Sequence, residues 1–192
     1  MPYFVYLEFA DPKLRDFLRS LREALNGEKE IKPAHITVRG PYENPPDPVQ
    51  LEQLKDDIQG YGVIVGGADT FVTSSGFVVH LKVQSPAFKK IWWKPDYNIE
   101  KHGINPHITI FETDNRIRAM AVEKFLRSER IEIFTFSTVL TVNMSKQSNL
   151  FETNIDSEIQ KKRSRIIERW AVKPGIMQRA IVLRESLDAQ VN

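Results

Sequence analysis

The chemistry suggested by this sequence begins with two segments that read His-Ile-Thr followed by an apolar residue, one starting at His35 and the other at His107. In a β-strand, side chains two residues apart point to the same side, so each histidine shares a face with a threonine. Two histidines that titrate near neutral pH can act as general base and general acid in hydrolysis or transesterification at phosphorus. Threonine hydroxyls can donate hydrogen bonds to phosphate oxygens, where negative charge builds up in the transition state. The predicted catalytic residues are therefore His35, Thr37, His107 and Thr109.

These motifs gain weight because they occur at equivalent places in a repeated series of elements. The first motif follows a strand predicted over 3–9 and a helix that begins at Pro12 after an aspartate cap. The second follows a strand predicted over 77–83 and a helix that begins at Pro86 after a serine cap. A single His-x-Thr segment would say little, because threonine favours strands and a lone histidine is commonly an ordinary polar residue. Two copies in one element order indicate two similar lobes whose motifs converge on one phosphate.

Other elements complete the predicted architecture. Each unit is followed by a further helix, over 48–61 in the first half and 115–127 in the second. Further strands are predicted at 63–65, 70–73, 131–136, 139–144 and 150–155. The predicted fold class is α+β, a bilobal and pseudo-symmetric duplication of antiparallel sheets with flanking helices and a central groove.

The end of the chain has no counterpart in this repeat. We assign residues 1–155 to the repeated domain and 156–192 to a C-terminal, helical extension. Between Ser157 and Trp170, apolar residues share one helical face opposite a row of lysines and arginines. The apolar side is expected to pack on the core or on a second subunit, which would give a homodimer. The basic side either binds RNA or is a solvated helical face.

Composition narrows the class of protein. The 192 residues suit one compact domain or two small lobes with a shared core. A net charge of +2 gives no sign of a nucleic-acid coat protein or a membrane-surface binder, so a polyanion would need a local patch. The sequence has no cysteine, which excludes a disulfide frame, a thiol nucleophile and the common structural zinc sites. No segment approaches the roughly 20 apolar residues of a membrane span, and no signal peptide is visible. We expect a cytoplasmic protein that does not bind membranes.

The paired motifs at His35 and His107 resemble those of the two-histidine (2H) phosphoesterase superfamily, which includes bacterial 2′-5′ RNA ligase-like proteins and cyclic nucleotide phosphodiesterases. The likeness in motif, spacing and element order covers residues 1 to about 155. It implies a bilobal antiparallel α+β fold with the site between the lobes, and a catalytic role for both histidines and both threonines. The chain departs from the family in its tail after Asp156. It also has Arg-Gly-Pro at 39–41, where relatives often continue with an aromatic residue.

Five further residues are candidates for substrate binding. Arg39 and Phe111 each stand two residues beyond a motif threonine and would share its face if the strand continues regularly. Arg39 would then hold a phosphate or stack on a base, or form an outward salt bridge. Phe111 would stack on a base or belong to the core. Phe4, Tyr6 and Trp93 are the remaining candidates for a base platform, with core packing as the alternative for the first two.

The motifs predict a metal-independent phosphodiesterase that acts on an RNA-type, cyclic nucleotide or oligonucleotide phosphodiester, with a nucleotide or RNA as its partner. No metal site and no cofactor are expected, because His80 and His102 stand in no known metal-ligand spacing. One alternative is the reverse reaction, ligation of RNA ends through a 2′-5′ bond. The other is a module that binds a nucleotide or RNA without catalysing a reaction. The sequence leaves open which histidine is the acid and which is the base.

Overall fold

The computed structural model describes residues 2–27, 33–94, 99–136, 138–144 and 169–190. Its strands and helices follow one another in this order: β1 (Tyr3–Phe9), α1 (Pro12–Asn26), β2 (His35–Tyr42), α2 (Pro48–Ile58), β3 (Val63–Thr73), β4 (Gly76–Gln84), α3 (Phe88–Ile91), α4 (Ile99–His102), β5 (His107–Thr113), α5 (Arg116–Glu129), β6 (Glu132–Thr135), β7 (Thr138–Met144), β8 (Arg169–Ala171) and α6 (Ile176–Ala189). The strand predicted at 150–155 and the helical face predicted from Ser157 to residue 168 lie outside the described residues.

The strands form two antiparallel sheets, so the predicted α+β class with antiparallel sheets is confirmed. The first sheet has the order β2-β1-β7 and the second the order β5-β4-β3-β6-β8. Each motif strand, β2 or β5, lies at the end of its sheet in the described part of the chain. Each pairs with the strand that begins its own half, since β1 pairs with β2 and β4 with β5.

The two sheets are not two separate halves of the sequence. Strand β7, from the second half, pairs with β1 along its whole length. Strand β3, from the first half, lies between β4 and β6 in the second sheet. Each sheet therefore contains a strand contributed by the other half, and the two sheets share one hydrophobic core that also includes side chains of α1, α5 and α6.

Helix α1 shows how the local sequence sets the position of the first motif. The carboxylate of Asp11 accepts a hydrogen bond from the backbone N–H of Lys13 at 2.8 Å, and Pro12 occupies the first helical position. The helix ends at Gly27, which has a left-handed φ of 73° and donates its N–H to the carbonyl oxygen of Glu23 at 2.9 Å. The predicted start of this helix at Pro12 is confirmed. Its leucines face the core.

The corresponding helix of the second half, α3, is only one turn long. The helix ends at Ile91, because the backbone of the next residue, Trp92, is extended. The next residue, Trp93, donates its N–H to the carbonyl oxygen of Val38 at 2.8 Å and forms a bridge with Arg39. Backbone pairing with β2 thus replaces a second helical turn, because it satisfies polar groups that the helix would otherwise leave at its end.

The C-terminal residues complete the second sheet and the core. Strand β8 pairs with β6, so the sequence-based placement of Arg169 and Trp170 on a helix is wrong. Helix α6 follows Pro174-Gly175 and packs against α1 and α5. Its buried face consists of Ile176, Ala180 and Leu187. The homodimer through this region remains a prediction. Among the helices in the described ranges, none has the length and apolarity to cross a membrane.

Candidate functional site

The first motif lies on β2 with the alternation that the sequence predicts. His35 and Thr37 are half-buried, whereas Ile36 is fully buried in the core. In the pairing with β1, Thr37 lies opposite Tyr6 and His35 lies opposite Glu8. Residues directly opposite each other in an antiparallel pair point to the same face, so these four side chains share one surface.

The second motif on β5 repeats this arrangement. His107 and Thr109 are half-buried, and the intervening Ile108 is fully buried. In the pairing with β4, Thr109 lies opposite His80 and His107 lies opposite Lys82. By register, His80 therefore occupies in the second half the place that Tyr6 occupies in the first.

Both motif histidines are anchored in the same way. The Nδ1 atom of His35 lies 3.0 Å from the carbonyl oxygen of Pro33, and Nδ1 of His107 lies 2.8 Å from the carbonyl oxygen of Asn105. A carbonyl oxygen can only accept, so Nδ1 must carry the proton in each ring. The neutral form then has its lone pair on Nε2, which is the atom able to exchange a proton with a substrate.

A different aromatic group packs on each histidine. The ring of Tyr6 stacks on His35 with 4.0 Å between centroids and an interplanar angle of 26°. On the other strand, the rings of His80 and Phe71 meet His107 edge-on, with centroid distances of 5.1 and 5.0 Å. The equivalent positions Tyr6 and His80 thus both cover a motif imidazole, with different chemistry.

The two motif strands approach each other in space. Cα atoms of β2 and β5 come within 8 Å, although the strands form no ladder with each other. A positive charge on His35 is close enough to act on His107 and to lower its pKa. The amide nitrogen of Asn26, at the end of α1, donates to the carbonyl oxygen of Ile110 at 3.0 Å and links the first half to β5. The structure therefore brings the two predicted histidines into one neighbourhood.

His107 has a strongly perturbed environment. Burial lowers its pKa to about 4, and the neighbouring positive charges of His80, Lys94 and His35 act in the same direction. The bond to the carbonyl of Asn105 favours the protonated form but does not offset burial. His107 is consequently neutral at pH 7 in the absence of substrate. A bound phosphate would bring negative charge and raise this pKa.

Arg39 and Phe111 do not continue the faces of the motif threonines. The register of both strand pairs shifts directly after the threonine, so that Arg39 lies opposite Val5 and Phe111 opposite Val79. One extra residue in a strand reverses the side to which the following side chains point. Phe111 is 5% exposed and belongs to the core, so the expectation that it shares the face of Thr109 is wrong.

Arg39 instead fixes the segment after α3. Its Nε donates to the carbonyl oxygen of Ile91 at 2.8 Å, and its backbone forms the bridge with Trp93. Trp93, one of the candidate base platforms, is 43% exposed, and its ring centroid lies 5.6 Å from that of Tyr42. Phe4 lies 6.1 Å from Tyr6 in a nearly parallel orientation. These exposed and half-buried rings remain available as base platforms.

Sequence reasoning missed three groups beside His107. The sequence suggests no role for His80 beyond an excluded metal site, and it predicts no charge from Lys82 or Lys94 at the site. The signal was present in the alternation of β4, where His80 and Lys82 are two residues apart and face the partner strand that carries the second motif. Lys82 is 47% exposed and forms a 2.8 Å salt bridge with Asp69. No sequence pattern predicts that Lys94 lies near His107, because its position depends on the backbone bridge made by Trp93.

Searches with the whole sequence against profiles of protein families and against curated proteins give no match. Within the described residues, no cluster of three or more histidine, aspartate or glutamate side chains could hold a metal ion. The side chain of His102 is not among those described. The fold and the site therefore rest on the chain's own geometry.

Proposed function

We propose that this protein is a metal-independent phosphodiesterase of the two-histidine type. Its substrate is an RNA-type, cyclic nucleotide or oligonucleotide phosphodiester, bound in a groove between two pseudo-symmetric units. His35 and His107 exchange the protons of the reaction, and Thr37 and Thr109 donate hydrogen bonds to the phosphate oxygens. The proposal includes a duplicated architecture in which β1-α1-β2 corresponds to β4-α3-β5.

The observation that carries this proposal is the matched anchoring of the two histidines. Each donates Nδ1–H to the carbonyl oxygen two residues earlier, at 3.0 Å for His35 and 2.8 Å for His107. A single such bond would be an ordinary local contact. Two identical bonds, on two strands that approach each other and that shift register at the same place after the threonine, favour one shared reaction centre.

The proposed reaction needs one proton acceptor and one proton donor. The acceptor removes a proton from the attacking hydroxyl or water, and the donor protonates the departing oxygen. With Nδ1 of each ring fixed to a carbonyl, Nε2 is the atom through which each histidine would act. The threonines flank the phosphate and stabilise the charge that accumulates on its non-bridging oxygens. Lys94 adds positive potential beside His107 that favours an anionic substrate.

The test is a metal-free screen with identification of products. Purified protein is incubated in excess chelator with 2′,3′-cyclic nucleotides, cyclic dinucleotides, and 2′-5′ and 3′-5′ oligonucleotides. We expect at least one phosphodiester to be cleaved, and a folded His35→Ala/His107→Ala double variant to be inactive. Activity that appears only after a divalent ion is added would overturn the metal-independent mechanism.

Other outcomes of the same screen separate the remaining functions. Joining of oligonucleotide ends in place of cleavage would identify a 2′-5′ RNA ligase. Saturable binding of a nucleotide without any product would indicate a binding module, and the acid-base roles of the histidines would then be wrong.

A further inference from the structure

His80 is a buried histidine that the proposed chemistry does not yet use. It is 3% exposed, and its Nδ1 has no hydrogen-bond partner in the described part of the protein. The carbonyl of Val78, two residues earlier, is near enough to favour protonation of His80, but it does not reach hydrogen-bonding geometry with Nδ1. A buried polar atom without a partner is destabilising, so its presence calls for an explanation.

The aromatic contacts of His80 connect it to His107. Its ring centroid lies 5.1 Å from that of His107 and 5.1 Å from that of Phe71, and Phe71 in turn lies 5.0 Å from His107. The three rings therefore form a closed group in which each contacts the other two. Within this group His107 is the only member that is half-buried and also part of a motif.

The strand register gives His80 a counterpart. His80 lies opposite Thr109 just as Tyr6 lies opposite Thr37, and each covers the neighbouring motif histidine. Tyr6 stacks nearly parallel on His35, at 26°, whereas His80 meets His107 at 62°. A position that covers a motif ring in both halves has a role at the site and not only in the core.

We propose that His80 is a positioning residue for His107: together with Phe71 it keeps water away from one side of the imidazole and fixes its orientation, so that His107 is the histidine that accepts a proton. The assignment of His107 as the acceptor rests on the proposed function. The positioning itself does not, because it concerns only the contact between the two rings.

Charged groups around His80 do not provide an alternative explanation. Asp69 lies opposite it on β3, Lys82 follows it on β4, and Glu123 acts on it from α5. The carboxylate of Asp69 is held by Lys82 at 2.8 Å and approached by Arg127 at 3.6 Å. Burial is the largest influence on His80 and lowers its pKa in spite of the two carboxylates. At pH 7 His80 is therefore a neutral ring in contact with His107, and once it is protonated at lower pH its charge lowers the pKa of His107.

The first test follows the titration of His107 directly. Proton-nitrogen NMR of the histidine rings is recorded against pH for the wild-type protein and for His80→Ala and His80→Phe. Opening the group to water in His80→Ala should raise the pKa of His107 from about 4 by more than about one unit, toward the unperturbed value of about 6.5. The phenylalanine variant keeps a dry ring contact and loses only the charge of His80, so the midpoint should rise by less than it does in His80→Ala.

Tyr6→Ala is the matched control, because Tyr6 holds the equivalent position in the other half. It should alter the ring resonances of His35 and leave the midpoint of His107 unchanged. Circular dichroism and thermal unfolding establish that each variant is folded. If His80→Ala does not fold, His80→Gln replaces it, since glutamine also removes the ring. An unchanged His107 midpoint in the folded alanine or glutamine variant would overturn the proposal.

The second test uses turnover and concerns the role of His107. With a phosphodiester identified by the screen, the acid limb of kcat/KM against pH should move upward in His80→Ala by the same amount as the NMR midpoint, with KM at high pH unchanged. In His80→Phe the acid limb should move by less than it does in His80→Ala. An acid limb that stays in place while the NMR midpoint moves would refute the assignment of His107 as proton acceptor. If no phosphodiester is turned over, the proposed function fails, and the NMR result still decides the positioning role.

Discussion

The two motif strands have the same residues and the same local geometry, yet they place their histidines in different environments. On β2, the bond from His35 to Pro33 is exposed and the ring is covered by Tyr6. On β5, the corresponding bond of His107 is partly buried, and two further rings exclude water from it. The comparison teaches that a repeated motif supplies two equivalent groups, while the residue opposite the threonine makes them different. An acid-base reaction needs such a difference, because one group must give a proton and the other must take one.

The largest expected effect separates the roles of the two histidines. His35→Ala and His107→Ala should each lower turnover of a 2′,3′-cyclic nucleotide by about a hundredfold to ten-thousandfold, the range for loss of a general acid or base. With a p-nitrophenyl nucleotide ester, the leaving group departs without protonation. His35→Ala should then regain most of the wild-type rate, whereas His107→Ala should not. Steady-state rates for both substrates provide the check, and rescue of His107→Ala instead would exchange the two roles.

Removal of one threonine hydroxyl should have a smaller effect. Thr37→Val and Thr109→Val keep the shape of the side chain but remove one donor to the developing charge, so we expect kcat to fall about tenfold to several hundredfold. KM should change less than kcat, because the hydrogen bond strengthens in the transition state. Rates that differ from wild type by less than a factor of two in both variants would argue against a shared phosphate site.

The buried histidine should also make stability depend on pH. The pKa of His107 is about 4 in the folded protein and about 6.5 in the unfolded chain, so the unfolded chain binds a proton between these values that the folded protein does not. Stability is therefore fully present above about pH 6.5 and falls as pH drops toward 4, by up to about 3 kcal/mol from this residue. Urea unfolding at pH 7.5 and 5 should show a smaller loss in His107→Gln than in the wild-type protein. Equal losses would mean that His107 is solvated in solution.

The smallest effect on turnover is expected from a substitution of Tyr6 on β1. Tyr6→Leu removes the ring that stacks on His35 at 4.0 Å, a contact worth about 0.5–1.5 kcal/mol for aromatic pairs. Turnover should fall about twofold to tenfold. The midpoint of the acid limb of kcat/KM against pH should not change, since that limb reports the protonation of His107. A Tyr6→Leu variant with a shifted acid limb would show that the two histidines are not functionally distinct.

Much of the local structure could be predicted because it depends on neighbours in sequence. The alternation of His35 and Thr37 against Ile36 follows from strand geometry, and the cap of α1 follows from Asp11 and Pro12. The sequence predicts two short strands at 63–65 and 70–73, whereas β3 is continuous over Val63–Thr73. Gly67 has a positive φ of 71° within this strand, and the pairing with β4 shifts register there.

Features that depend on distant contacts could not be read from the sequence. The register shift that directs the side chain of Phe111 into the core is set by the pairing of β5 with β4. The strand conformation of Trp170 requires the edge of β6, which lies more than thirty residues earlier in the chain. His80 belongs to no recognisable sequence motif, and the contact of its ring with His107 is visible only in the structure. In each case the deciding partner is remote in sequence, so no local propensity reports it.

The return of β7 to the first sheet has a consequence for biosynthesis. The strand β1 is synthesised well before its second neighbour, β7, which spans Thr138–Met144. Helix α6, which packs on α1, is made later still. The sheet that carries the first motif is therefore incomplete until β7 has left the exit tunnel. A nascent chain that stops before β7 therefore lacks one of the two neighbours of β1 in the sheet that carries the first motif.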